Sequence, residues 1–465
     1  MPDDSRSNHT TDSFATALAR RIDGVGLAST PDSIVWRIKA ALLNYTLLSV
    51  TGYSDADVTW RAVREALSAP GMASVMVTGE RRSAGEAAFL NGSLACVRGQ
   101  NDTHPASFAH PGCVCIPAVL AVAQVRHLSG KQVLEALIAG YETLAYVAHD
   151  AADATVARGL RATSVYGPIA SAAAVAKLIG LTVDQVATAL SLATQFSAGT
   201  MQCWAEGSPE WRLQVGHASR AGIDAAHLAE AGMSASAAAF EGKSGFYRAF
   251  ADNRHSVPSA GFGNGWAIER VQFKPLPGCL INQGPVQSLL ELMSAHGLKA
   301  GDIDKVDVTF SPQNANYPGT AEYGPFEQAT GAVMSAPFML TAAMRDETLT
   351  KDVFDREFGA SPIHASSRRV TVESDASFST WTSRVDLVLK DGRRLDATFD
   401  DPSAFEPGWQ DTVKLLSRML GEWQVADAPS RFARLQTLIG AFETAPDVDP
   451  LLRLTQTMVV SSVPI

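Results

Sequence analysis

Four stretches hold the residues that can do chemistry. "NDTHPASFAHPGCVCIPAVLA" puts Asp102, His104 and His110 on a loop ahead of an apolar helix. Histidine titrates near neutrality and can both take and return protons. Side chains at such a place also serve as plain helix caps or loop ties, and spacing does not separate the two roles. A metal site fits less well, because two histidines six apart with one aspartate lack compact ligand spacing. "RGLRATSVYGP" stands Arg161 before a small-residue helix. A guanidinium cannot act as a base near neutral pH, but it can hold a carboxylate through two parallel hydrogen bonds. "SPEWRLQVGHASRAG" sets Trp211 and Arg212 at the start of an Ala-rich helix, where unpaired N–H groups favour an anion. "QFKPLPGCLINQ" ends an expected strand at Lys274 and stiffens the chain with two prolines. Cys279 in that stretch is either a proton-transfer thiol or a buried inert one.

These residues must be positioned by the elements around them. Residues 12–250 read as helices with short, well-signalled turns. Thr30-Pro31 fits an N-cap with proline at the first helical position. Ser83/Glu86, Ser129/Gln132 and Thr182/Gln185 have capping-box spacing. Gly180 sits where a helix C-terminal glycine belongs. "QVLEALIAGYETLAYVAHDAA" and "DQVATALSLATQFSAG" are apolar on nearly every face, as in the inner helices of a bundle. Their Ala, Ser and Gly residues allow close helix approach. "FEGKSGFYRAF" and "GFGNGW" read as turns, not nucleotide loops.

After about residue 265 the period changes. "ERVQFKPLP", "DKVDVTFS", "RRVTVES" and "RVDLVLKDGRRLDATF" alternate like strands, the last around a KDGR hairpin turn. Helices are expected over 282–296 and 331–345, and again after 402. The expected fold is therefore mainly α with α+β. A large all-helical domain, 1–265 plus 402–465, carries an inserted α/β lid domain over 266–401.

Composition bounds the function. Of 465 residues, 46% are hydrophobic and 18% charged, so a large core can form. The net charge of -10 argues against a nucleic-acid partner, yet local cations can still build a pocket for a small anion. The polar, acidic N-terminal stretch has no signal-peptide pattern, and apolar runs of about ten residues are too short to span a bilayer. Five scattered cysteines fit a reduced, cytoplasmic protein.

In their order and spacing these stretches resemble the MmgE/PrpD family. The resemblance rests on "DTHPASFAHPGCVCIPAVLA", "AGYE", "TSVYGPIASAAAVAKLIGL", "GHASRAGIDAAHLAEAGMSASAAAFEGKSGF", "FKPLPGC" and "SAPFMLTAAM". The family includes 2-methylcitrate dehydratase, cis-aconitate decarboxylase and iminodisuccinate epimerase. Membership implies a helical domain with an α/β lid, a homodimer, no organic cofactor, and an active site between the domains. The departures are informative. Dehydratase and decarboxylase members carry histidine where this chain has Arg161, aspartate where Gly99 falls, lysine at Trp211, and histidine at Gln214 and near Gln283. His110, Asp102, Arg212 and Lys274 remain. Exchanging histidine for Arg161 trades proton transfer for anion clamping. The character expected is that of iminodisuccinate epimerase: a cofactor-independent epimerase or isomerase of a polycarboxylate, working by α-proton abstraction and return. His110, His104, Asp102 and Lys274 would be catalytic. Arg161, Arg212, Lys274, Gln283 and Trp211 would hold substrate, with no metal. The alternative is a dehydratase of a 2-hydroxy tricarboxylate such as 2-methylcitrate.

Overall fold

The computed structural model describes residues 12–456 apart from 55, 56, 257, 259, 260, 263, 264, 358, 424 and 426. The N-terminal stretch read above as acidic and polar lies mostly outside these residues, and so does part of GFGNGW.

The centre of the helical domain is a bundle of α1 (Ala84–Ala95), α2 (Pro111–Arg126), α3 (Gly130–Ala148), α4 (Ala162–Leu178) and α5 (Trp211–Glu230). α4 packs on α2, α3 and α5, and α1 packs on α2 and α5. Small residues set these approaches. A Cβ added to Gly222 of α5 would stand 2.2 Å from Ser171 Cβ of α4, and one on Gly140 of α3 would stand 2.9 Å from Ala174 Cβ.

Local signals behaved unevenly. Ser129/Gln132 and Thr182/Gln185 form complete capping boxes. Ser83 caps Glu86, but the Glu86 carboxylate turns to the Ala69 N–H, so that box is half closed. Thr30 is not a cap: its hydroxyl bonds back to the Gly26 carbonyl, and the helix starts at Asp32. Gly180, at φ +72°, ends α4 with the Leu181 N–H on the Ala176 carbonyl.

A second hydrophobic core lies within 286–389 and joins α6 (Gln283–His296), α7 (Ala336–Asp346) and a four-stranded sheet. The strands are β1 (Ile303–Phe310), β2 (Val370–Ser374), β3 (Ser383–Leu389) and β4 (Arg394–Phe399), in the order β2-β1-β3-β4. β1 and β2 are parallel; the other pairs are antiparallel. β3 alternates strictly between buried and half-buried residues, so one face meets α6. The helix expected over 331–345 is broken at Ser335 into two, and the Ser335 hydroxyl caps the second, α7. "ERVQFKPLP" forms no ladder strand. It makes a short turn and then one antiparallel bridge, Gln272 to Thr103. After residue 402, the helices Trp409–Ser417 and Ala428–Gly440 pack back on Asp32–Gly52, in the first core. Among the described residues, no helix is long and apolar enough to cross a membrane.

The crossing of α4 and α5 gives a prediction. Gly222→Ala drives a methyl into the Ser171 backbone and should cost at least about 3 kcal/mol, the upper end of overpacking penalties. Gly180→Ala has open space and carries only left-handed strain, about 1 kcal/mol. Denaturation midpoints of the two variants measure the difference.

Candidate active site

The loop before α2 is folded back on itself. The His104 N–H meets the Ala109 carbonyl at 2.9 Å, and Phe108 takes a left-handed turn between them. His104 and His110 are thereby held at the two ends of one small loop. Pro111 then opens α2 at a position that needs no N–H. Thr103 exchanges two hydrogen bonds with Gln272, at 2.9 and 2.8 Å. This pair ties the histidine loop to the segment that carries Lys274.

Between the two cores lies a cavity of about 740 Å³. The helical side contributes His104, His110, Arg161, Thr163, Trp204 and Trp211 to its wall. Later parts of the chain contribute Gln272, Lys274, Cys279, Asn314 and Tyr317.

His110 Nδ1 lies 2.9 Å from the Asp102 carbonyl and 3.1 Å from Thr103 Oγ1. The carbonyl can only accept. The Thr103 hydroxyl gives its proton to the Asn101 carbonyl, so it too accepts from the ring. Both partners therefore require a proton on Nδ1. Burial first, and then Lys274 and Arg161, hold the His110 pKa well below the usual imidazole value. The ring is neutral at pH 7, with Nε2 as the free lone pair. His104 reaches the same state by another route. Ser107 donates to the His104 carbonyl, so Ser107 Oγ accepts from Nδ1 at 3.0 Å. Burial lowers this pKa to about 4.

Lys274 is buried, and its ammonium donates to the Gly99 carbonyl at 2.8 Å. Burial lowers its pKa to about 8, against the opposing pull of the Asp102 carboxylate. Arg161 is 4% exposed, and its guanidinium carbon lies 5.4 Å from the ring centres of both Trp204 and Trp211. Only Nη1 is engaged, by the Trp211 carbonyl at 2.6 Å and Gln214 Oε1 at 3.3 Å. The Nε–Nη2 edge has no protein partner among the described residues, and neither Arg161 nor Lys274 makes an ion pair with a carboxylate there. Trp211 Nε1 donates to Thr330 Oγ1 across the domain boundary, which fixes one of the two rings.

Three expected site residues are placed differently. Arg212 does not line the cavity; its Nη1 pairs with Asp57 Oδ2 at 2.5 Å, and Asp57 caps the helix Val58–Ala66. Gln283 is fully buried and spends its amide on the backbone of Leu276 and Cys279, holding the Pro-Leu-Pro-Gly bend. Asp102 stands behind the wall. Its carboxylate takes the Tyr141 hydroxyl at 2.6 Å and the Gly112 N–H at 3.1 Å, and only its main-chain carbonyl reaches an imidazole. Trp204, Thr163 and Tyr317 were missed. For Trp204 a signal existed, a second tryptophan seven residues before Trp211. Thr163 and Tyr317 offered none beyond residue type. Cys279 keeps its proton, because burial outweighs the neighbouring Lys274. No cluster of three metal-ligating side chains occurs among the described residues.

The chain matches the MmgE/PrpD N-terminal domain over residues 16–258 and the MmgE/PrpD C-terminal domain over 277–408. It belongs to the MmgE/PrpD family. It is 26% identical over 457 residues to the cis-aconitate decarboxylase-like protein oryM of Aspergillus oryzae, covering 91% of this chain and 93% of that one. It is 24% identical to cis-aconitate decarboxylase of Aspergillus terreus, with 91% and 92% covered. The human cis-aconitate decarboxylase matches at 28% over 281 residues, 58% of this chain and 56% of that one. These relatives carry decarboxylase names, so the expected closeness to iminodisuccinate epimerase finds no counterpart among them.

Two arginines can now be told apart by experiment. Arg212→Met strands the half-buried Asp57 and should lower stability by roughly 3 kcal/mol, with polycarboxylate affinity little changed. Arg161→Lys keeps a charge but loses the planar edge. It should weaken polycarboxylate binding about 10- to 100-fold with little effect on the denaturation midpoint. Calorimetric titration beside a denaturant series checks both.

Proposed function

We propose that this protein is a cofactor-independent epimerase or isomerase of a small polycarboxylate such as iminodisuccinate. The observation that carries the reading is the open Nε–Nη2 edge of Arg161, a buried cation with no carboxylate of its own among the described residues. A substrate carboxylate supplies the missing partner. With that group clamped, His110 Nε2 takes the α-proton and its electron pair moves into the carboxylate, giving an enediolate. The positive charges of Arg161 and Lys274 stabilise the developing negative charge. The Lys274 ammonium, with a pKa close to working pH, returns a proton to the opposite face. The reverse turnover uses the same groups with their proton states exchanged, and exchange with water resets them. His104 Nε2 offers a second neutral base in the same cavity. No step calls for a cofactor. Trp211 acts through Arg161, and Arg212, Gln283 and Asp102 support the site from outside the wall. A homodimer of such chains, each with its own cleft, completes the reading.

A second reading, lyase chemistry, is favoured by the names of the relatives. Dehydration of a 2-hydroxy tricarboxylate such as 2-methylcitrate, or decarboxylation, would then occur in the same cavity. Proton NMR in D2O separates the two. Epimerisation predicts enzyme-dependent loss of an α-proton signal with no new olefinic signal; a lyase predicts olefinic signals or release of CO2. His110→Asn should slow the exchange by at least about 100-fold.

The pH dependence follows from Lys274. Its folded-state pKa is depressed to about 8, and the reaction uses the protonated form. Turnover should therefore fall as pH rises through about 8. Lys274→Arg retains the charge above that pH, so the alkaline limb should disappear even though the rate is lower. An alkaline limb unchanged in that variant assigns the titration to another group.

A further inference from the structure

The residue behind the cavity wall that the reaction does not touch is Tyr141 of α3. We propose that Tyr141 is a positioning residue for proton transfer: its hydroxyl holds the Asp102 side chain, and the Asp102 main-chain carbonyl holds the His110 ring in the tautomer that frees Nε2. The inference rests on the reading of His110 as the base.

The chain of contacts is short and closed. Tyr141 is 2% exposed, and its O–H donates to Asp102 Oδ2 at 2.6 Å. The other carboxylate oxygen takes the Gly112 N–H in the first turn of α2. A Cβ on Gly112 would stand 2.6 Å from Asp102 Oδ1 and 2.7 Å from the Tyr141 hydroxyl, so the sequence His-Pro-Gly leaves the space this triad fills. The carboxylate anchors Asp102 to α2 and α3, the Thr103 N–H of the same peptide lies on the Gln272 carbonyl, and between these ties the Asp102 carbonyl is held 2.9 Å from His110 Nδ1. The arrangement is also electrostatic. When His110 takes a proton it becomes an imidazolium, and a carboxylate behind it favours that state.

Several groups face Asp102. Tyr141 comes from α3, Gly112 with the thiols of Cys113 and Cys115 from α2, Lys274 from the linking segment, and His110 from its own loop. Burial raises the Asp102 pKa to about 6, while the Tyr141 hydroxyl, the Gly112 N–H and Lys274 pull it down. Removing the hydroxyl takes away one donor to the ionised form, so the carboxyl then keeps its proton to higher pH. Any acid limb of turnover that reflects Asp102 should move up by about one pH unit.

The test uses the full chain labelled with ¹⁵N-histidine, as wild type and Tyr141→Phe, with the His110 signals assigned by their loss in His110→Asn. Wild type should show His110 neutral and protonated at Nδ1 at pH 7. Tyr141→Phe should show a mixture of tautomers. With iminodisuccinate in D2O, kcat should fall about 10-fold while KM changes little, and the acid limb should move up. An unchanged His110 spectrum in Tyr141→Phe overturns the proposal. So does a fall in thermal stability alone, with kcat and the pH profile untouched. If Tyr141→Phe does not fold, Asp102→Asn carries the test: loss of the acid limb together with a disturbed His110 ring supports the proposal, and a wild-type ring and limb overturn it. If wild type exchanges no α-proton of any polycarboxylate, the epimerase reading fails by itself, and the tautomer spectra still decide the role of Tyr141.

Discussion

A buried guanidinium that meets no carboxylate among the described residues is the constraint on which this site depends. Taking a charge out of water costs several kcal/mol unless a partner restores what is lost. Arg161 receives two indole faces, one carbonyl and one amide oxygen, enough to hold it in place but leaving its bidentate edge free. Trp211 is itself held by Thr330 from the other domain. The cation and its aromatic cage are thus tied to the second domain through one hydrogen bond. Lys274 repeats the pattern, with the Gly99 carbonyl as its hydrogen-bond partner and no carboxylate paired to it among the described residues.

Neutral histidines complement those charges. The cations that would stabilise an enediolate also make protonation of nearby imidazoles costly. His110 is accordingly a free base at neutral pH, with its proton on the ring nitrogen that faces the protein. The double bridge between Thr103 and Gln272 keeps base and cations in one frame, because it joins the histidine loop to the Lys274 segment. Proton transfer at a carbon atom needs this combination of a neutral base and fixed positive charge.

Much of the fold was legible because its signals are local. Capping boxes at Ser129 and Thr182 need only neighbouring residues, and the KDGR hairpin announces itself through turn chemistry. The chain from 269 to 277 alternates like a strand, but its hydrogen bonds run to Thr103 and Phe405, both distant in sequence and outside any ladder. Site residues were legible by type and less so by direction. Lys274, His110, His104, Arg161 and Trp211 share one cavity. Arg212 is the next residue to Trp211, yet on a helix it points about 100° away, towards Asp57. Gln283 falls near a position where the family carries a histidine, yet it is used by the backbone bend that it stabilises. Asp102 was expected among the catalytic groups; it is its main-chain carbonyl that meets the His110 ring, a contact no side-chain pattern encodes. Trp204 carried a weak signal in its spacing from Trp211, and Tyr141 lies in the AGYE stretch, but neither pattern says which side chain it touches.

The central claim is that Arg161 reserves its open edge for a substrate carboxylate. A crystal structure of the chain with tricarballylate, a saturated tricarboxylate, tests it most directly. The account predicts one carboxylate bound side-on to Nε and Nη2 of Arg161, between the two domains, with a carbon-bound hydrogen facing His110 Nε2. A tricarboxylate bound elsewhere, or an Arg161 edge turned to a protein carboxylate in the complex, would contradict it.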